Sequence, residues 1–217
     1  MKILFAASEA VPFAASGGLA DVAGSLPKAI HEKGHDCRVV MPLYRGISEK
    51  LRSKMTFIKN MTVDVSWRKQ YCGIYTSVYE GITYYFIDNE YYFDRDGLYG
   101  FYDDCERFVF FDRAVLEMLK YISFKPDIIN CNDWQTSLIP VYYQIYYKYQ
   151  QGYGDIKSVI TIHNIEYQGK FGKETLAEVM GIPMYNANLL DYDGSVNMLK
   201  GAIETADKII TVSPSYA

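Results

Sequence analysis

Four short stretches hold the residues best suited to chemistry. Ser16-Gly17-Gly18 presents backbone without bulky side chains, so a ligand can approach its amides closely. Behind it Leu19, Val22, Ala23, Leu26 and Ile30 recur at helical spacing. The start of such a helix has unpaired N–H groups and a partial positive charge, which together favour a phosphate. Asn132-Asp133-Trp134-Gln135-Thr136 sets a carboxylate beside an indole, and Thr161-Ile162-His163-Asn164 closes an apolar run with an imidazole. Glu9 adds a second carboxylate near the amino terminus.

Each stretch also has a purely structural reading. Paired glycines make a tight turn at positive φ. A strand-end histidine is often a satisfied core residue. Asp133 stands where a helix N-cap would stand, and Glu9 fits a loop carboxylate bonded to nearby amides. Trp134 fits either a platform for a sugar or a plug between helix and sheet. The fingerprint G-x-G-x-x-G is absent. The run Cys37-Arg38-Val39-Val40-Met41 ends in Pro42-Leu43-Tyr44 rather than in an acid, which argues against a dinucleotide.

The elements that must position these residues follow from periodicity. Ile3-Leu4-Phe5-Ala6-Ala7, residues 37–41, 126–131, 158–162 and 209–212 read as buried strands. Helices are expected over 19–33, closed by Gly34, and after a capping box at Asp103 and Glu106. The latter would place Phe108, Phe111, Val115, Leu119 and Ile122 on one face. Further helices are expected after Thr136 with a kink at Pro140, over 173–180 and over 195–206. Residues 46–54 read as a loop or short helix, and 91–104 as a loop. Residues 61–67 alternate like a strand, and 74–79 and 82–87 flank Glu80-Gly81 as a hairpin.

Strands alternating with helices indicate an α/β fold: a mostly parallel sheet with helices on both faces and an added antiparallel hairpin, its crossovers right-handed. In such a sheet ligands bind outside the carboxyl ends of the strands. Glu9, Asp133, His163-Asn164 and Ser213 each follow a strand. A carboxylate, an imidazole and the Gly17-Gly18 amides would therefore share one cleft, and this convergence is the main functional signal.

Composition sets outer bounds. The chain has 217 residues, 49% of them hydrophobic, which suits one domain near the upper end of the usual size. Twenty-two basic against 26 acidic residues give a formal charge of −4, so bulk charge draws it to neither nucleic acid nor an anionic membrane. Cys37, Cys72, Cys105 and Cys131 form no C-x-x-C pair and read as buried thiols of a reducing, cytoplasmic setting. No apolar run has transmembrane length, and Glu9 interrupts the amino-terminal run too early for a signal peptide. Aromatic residues reach 16%, with 21 tyrosines, a composition suited both to core packing and to sugar recognition.

Several ordered motifs resemble the bacterial glycogen synthases and plant starch synthases. These are Ser8-Glu9-Ala10, then Ser16-Gly17-Gly18-Leu19-Ala20-Asp21-Val22, Leu26-Pro27, Asn132-Asp133-Trp134-Gln135-Thr136, and Thr161-Ile162-His163-Asn164 with Tyr167-Gln168-Gly169. Phe93-Asp94-Arg95, Leu98-Tyr99-Gly100, Glu106-Arg107-Phe108 and residues 198–207 add support for the fold alone. Two departures stand out. The family's loop usually carries a lysine where this chain has Ala15, and often a histidine where it has Asn132, which is therefore assigned no role.

The resemblance implies one half of a two-domain GT-B glycosyltransferase, residues 1–217 forming the amino-terminal, acceptor-side domain built as a Rossmann-like sheet. The whole enzyme would transfer glucose from a sugar nucleotide, expected to be ADP-glucose, to the non-reducing end of an α-1,4-glucan with retention. It implies catalytic roles for His163 and Asp133, donor binding by Ser16, Gly17, Gly18 and Asn164, and acceptor binding by Glu9 and Trp134, with no metal and no cofactor. Ser213-Pro214 reads as a helix start, yet the chain stops at Ala217. The expectation is a fragment lacking the carboxyl-terminal nucleotide-binding domain and inactive alone. No close carboxylate pair is evident, so no covalent intermediate is expected. Two rivals are a non-catalytic glucan-binding module and another sugar-nucleotide-processing α/β enzyme, such as a hydrolase.

Overall fold

The computed structural model describes residues 1–213. In chain order its elements are β1 (Lys2–Ala6), α1 (Gly18–Glu32), β2 (Asp36–Pro42), α2 (Glu49–Arg52), β3 (Thr56–Val65), β4 (Arg68–Tyr79) and β5 (Ile82–Asp88). Then come α3 (Glu90–Phe93), α4 (Asp104–Met118), β6 (Ile128–Asn132), α5 (Leu138–Tyr142), β7 (Lys157–Ile162), β8 (Lys170–Phe171) and α6 (Thr175–Glu178). The last are β9 (Asp191–Tyr192), β10 (Ser195–Asn197), α7 (Met198–Thr205) and β11 (Lys208–Thr211).

The main sheet runs β11-β7-β6-β1-β2-β5-β4-β3. The strands from β11 to β5 are parallel, and β4 and β3 continue the sheet antiparallel. Counted by chain order, the parallel strands stand 3-2-1-4-5-6, the doubly wound order, which reverses between β1 and β6. On β1 Leu4, Phe5 and Ala6 are all essentially inaccessible, as are Val39, Val40 and Met41 on β2. Neighbours on a strand point to opposite faces, so both faces of the sheet are covered. Burying a side chain such as Phe5 or Phe86 contributes about 1.5–3 kcal/mol. The hairpin between β4 and β5 turns at Glu80 and Gly81, both at positive φ (+47° and +82°), as a two-residue turn of this hand requires. A second hairpin, between β3 and β4, turns at Ser66-Trp67.

Several local expectations need correction. Residues 91–104 are not all loop: Asn89 accepts the Tyr92 amide and starts α3. Asp103 and Glu106 form no capping box. Asp103 pairs instead with both Nη atoms of Arg95 (2.6 and 2.7 Å), and Glu106 accepts the Tyr92 hydroxyl. The helix α4 is buried nearly all round rather than along one stripe, and it ends at Met118, so Leu119 and Ile122 lie beyond it. After Asn132 the chain does not form one kinked helix. A 3-10 turn, Trp134–Thr136, leads to α5 and then to a π-helical turn, Tyr143–Tyr147. Pro140 sits in the first turn of α5, where a missing N–H is tolerated, and the Leu138 amide is capped by buried Asp112 at 2.8 Å. The helix expected over 173–180 is the single turn α6. Residues 195–197 are strand, paired with β8 and β9, and Asn197 caps α7 by accepting the Lys200 amide. The helix start expected at Pro214 lies outside the described residues.

All four cysteines are free and buried; burial pushes the Cys37 and Cys105 thiols to about 12.

The helix α1 buries Leu19, Ala20, Ala23 and Pro27, while Leu26 is exposed. Gly34, at φ +86°, follows its end and donates to the His31 carbonyl. Gly24 allows close approach to the loop after β1: a methyl group there would clash with Val11 Cγ2 and meet the Val11 carbonyl oxygen at 2.9 Å. The Val11 amide is itself bonded to the Ala20 carbonyl on α1, so neither partner can retreat freely. Gly24→Ala should therefore lower the unfolding free energy by about 1–3 kcal/mol, and with it the denaturant midpoint, although alanine is the better helix former by about 1 kcal/mol. A midpoint raised above that of the unsubstituted chain in urea titration would contradict this.

Candidate active site

The loops that follow β1 and β6 part where the strand order reverses, and a cavity of about 940 Å³ opens there. Its walls are Glu9, Ser16 to Leu19 and Val22 from the β1 side, Asp133, Trp134 and Gln135 after β6, and His163 and Asn164 after β7. Tyr99, Gly100 and Asp104 close one flank, and Tyr167 and Val212 another. The sequence-distant groups thus meet along one edge of the sheet. Ser213 follows β11 as expected, but the wall on that side is formed by Val212.

Asp133 occupies the N-cap position of the 3-10 turn, but its side chain does not cap it. It sits at φ +57°, ψ −173°, with no side-chain bond to the turn that follows. That backbone region is almost reserved for glycine and costs about 1–3 kcal/mol. The conformation is held from several sides. The Asp133 amide donates to the Thr161 carbonyl at 3.0 Å, and the Ser137 hydroxyl donates to the Asp133 carbonyl at 3.0 Å. Its carboxylate Oδ1 accepts the amides of His163 (2.8 Å) and Asn164 (3.3 Å). Burial pushes the Asp133 carboxyl up, and these amides oppose that. Burial also holds the half-buried His163 imidazole below its ordinary 6.5, outweighing the attraction of Asp133. The ring is therefore neutral at pH 7.

Glu9 is 3% exposed, and one of its oxygens accepts both the amide and the hydroxyl of Ser16, the latter at 2.8 Å. Burial raises its carboxyl, the Ser16 bonds lower it, and the nearby charge of Asp133 adds a further rise. The loop-carboxylate reading of Glu9 describes its bonds correctly, and the same residue still lines the cavity. Gly17 is extended (φ −161°), and neither it nor Gly18 is at positive φ. The tight-turn reading of the glycine pair fails. The Gly17 amide interacts with the Glu9 carboxylate, and a Cβ on Gly18 would meet nothing within 4 Å, so the open, accessible backbone at the start of α1 is that of Gly18.

Trp134 is 8% exposed and lies edge-on to Phe108 at 5.1 Å and against Phe171 at 5.8 Å. Gly169 lets it pack so closely that a Cβ there would come within 2.7 Å of the indole. It mostly fills the gap, and it still lines the cavity. Two residues were missed. Tyr99 lines the cavity, its hydroxyl 2.7 Å from that of Ser8; the signal was Leu98-Tyr99-Gly100, used for fold support alone. Asn132, assigned no role, has its Oδ1 2.9 Å from His163 Nε2. Among the described residues no three metal-ligating side chains cluster, and no helix is long and apolar enough to cross a membrane.

Residues 2–217 match the family described as starch synthase catalytic domain. Glycogen synthase of Clostridium botulinum (strain Alaska E43 / Type E3) is 54% identical over 220 residues, covering 100% of this chain and 46% of that protein. Glycogen synthase of Clostridium kluyveri is 52% identical over 219 residues, with the same coverage of 100% and 46%. The catalytic domain of starch synthase IV from Arabidopsis thaliana, solved bound to ADP and acarbose, superposes with a TM-score of 0.91. It is 31% identical, covering 99% of this chain and 45% of that one. The chain spans about half the length of the curated relatives it matches.

Two outcomes are expected. Replacing Asp133 by Ala keeps the strained backbone and loses the acceptor, whereas Asp133→Gly loses only the acceptor. In chemical denaturation the glycine variant should be the more stable by about 1 kcal/mol; equal stabilities would count against strain at this position. His163 contributes to pH dependence with a definite sign. As pH falls through 6.5 the unfolded ring takes up a proton that the folded ring resists. Stability present above pH 6.5 is thus lost just below it. His163→Gln should flatten that part of a stability–pH curve, and an unchanged slope would show that burial does not depress this ring.

Proposed function

Because the chain belongs to the starch synthase catalytic-domain family, we propose that it is the acceptor-side half of a glucan synthase. It works with a second, nucleotide-binding domain to transfer glucose from ADP-glucose to the non-reducing end of an α-1,4-glucan, with retention at C1. The observation that carries this reading is the single cavity in which the Gly17-Gly18 backbone, Asp133 and His163 meet. The soluble nucleotide and glucan are then cytoplasmic substrates.

In this reaction the bond from glucose C1 to the diphosphate oxygen breaks and a bond from C1 to the acceptor O4 forms. The acceptor's proton leaves with the diphosphate. Negative charge grows on the departing phosphate, and amides of the Gly17-Gly18 segment are placed to stabilise it at a helix start. Ser16 and Asn164 flank the donor. Positive charge grows on the sugar ring, and His163 meets it with its main-chain carbonyl and a neutral ring that binds a sugar hydroxyl. Asp133 acts by clamping the His163 and Asn164 amides and by facing the acceptor. Glu9, oriented by Ser16, receives an acceptor hydroxyl, with Trp134 beside it. That the starch synthase IV relative was solved bound to ADP and acarbose supports a nucleotide and a saccharide as the ligands.

The test is product analysis with labelled ADP-glucose. The 217-residue chain alone should transfer no glucose, and the full-length protein should lengthen a maltooligosaccharide. Free glucose phosphate as product would mark a hydrolase instead. His163→Ala in the full-length protein should lower kcat about 100-fold or more, the usual scale for losing a group that stabilises developing charge. Unchanged turnover would mean that the cavity serves binding only.

A further inference from the structure

Asn132 is fully buried at the end of β6, and its neighbours decide which way its amide points. Nδ2 lies 2.9 Å from the Ala6 carbonyl oxygen on β1. A main-chain carbonyl can only accept, so the group facing it is the NH2. Nδ2 also lies 3.0 Å from Asn130 Oδ1. Asn130 in turn donates from its own Nδ2 to Thr161 Oγ1 at 3.0 Å on β7, which leaves its Oδ1 as acceptor. Every donor and acceptor in this buried row therefore runs in one direction. The atom of Asn132 that remains is Oδ1, which lies 2.9 Å from His163 Nε2 and can only accept. The ring nitrogen opposite it must carry the proton.

We propose that Asn132 is a positioning residue that locks His163 in the Nε2–H tautomer and so presents Nδ1 as a lone-pair acceptor for a hydroxyl of the bound sugar. The second half of this statement rests on the glucosyl-transfer reading; the first half does not. The backbone of His163 is fixed independently, by its amide on Asp133, so ring and main chain are held by different partners. The charged side chain acting on the ring is Asp133; Asn130, Asn132 and Thr161 are neutral. Because an amide does not titrate, the direction of the bond is the same at every pH at which the ring is neutral. A neutral histidine at position 132 could likewise accept at one ring nitrogen and donate from the other.

The experiment is nitrogen NMR of the full-length protein labelled with ¹⁵N in its histidine rings, the His163 signals being identified by their loss in His163→Gln. Above the ring's pKa the expected pattern is a protonated Nε2 and an unprotonated Nδ1. A proton on Nδ1 in the unsubstituted protein overturns the proposal outright, whatever the variants do. Asn132→Leu, which lacks an acceptor, should give a tautomer mixture and a kcat reduced about tenfold, the rate equivalent of one lost hydrogen bond. Asn132→His should restore both the tautomer and turnover. A pure Nε2–H signal in Asn132→Leu shows that some other group sets the tautomer and refutes the lock. If the unsubstituted protein transfers no glucose while its ring signals are as expected, the lock is supported and the sugar-facing half fails with the reading beneath it.

Discussion

The site depends on one carboxylate reaching across two strand ends. Asp133, leaving β6, accepts the amides of His163 and Asn164 as they leave β7. That bridge fixes the main chain where the two loops begin, while the imidazole itself is held by Asn132. The bridge is made from a backbone conformation that a side-chain-bearing residue rarely adopts. The surrounding bonds to Thr161 and Ser137 hold it there. A local cost of this kind is stable only where the neighbouring sheet over-determines the geometry, which two adjacent parallel strands do well.

Charge around the cavity is uneven. Glu9, Asp104 and Asp133 line it, His163 is neutral, and among the described lining residues there is no lysine or arginine. The family's loop lysine is Ala15 here. An anion entering the cavity would therefore meet partial charges rather than a fixed cation: the amides at the start of α1, pre-oriented and requiring no reorganisation. Of the three cavity carboxyls, the two that burial raises, Glu9 and Asp133, are also the two that accept more than one amide. Their orientation is set before any ligand arrives.

Much of this was legible in the residues, for identifiable reasons. The meeting of Glu9, Asp133 and His163 needs only that three apolar runs be parallel strands, because parallel strands share a carboxyl edge. The Glu80-Gly81 turn was legible because a two-residue hairpin demands positive φ. What was hidden depends on contacts remote in sequence. Residues 195–197 are strand because β8 and β9 flank them, which no local pattern reports. The helix α4 has no clear stripe because it is enclosed on nearly every side. Asp103 looked like a cap but was claimed by Arg95. The partnership of Asn132 with His163 requires knowing that β6 lies between β1 and β7, so that Ala6 can fix the amide from one side and the ring receive it on the other.

The enclosed thiols carry a practical consequence. Cys37, Cys72, Cys105 and Cys131 are out of contact with solvent and held far from ionisation, and only the thiolate reacts with alkylating reagents. The folded molecule therefore offers a silent background for single-site labelling. A cysteine introduced at the exposed Ala15, next to the glycine pair, would be the one reactive handle. A fluorophore or spin probe attached there would report directly on events at the mouth of the cleft.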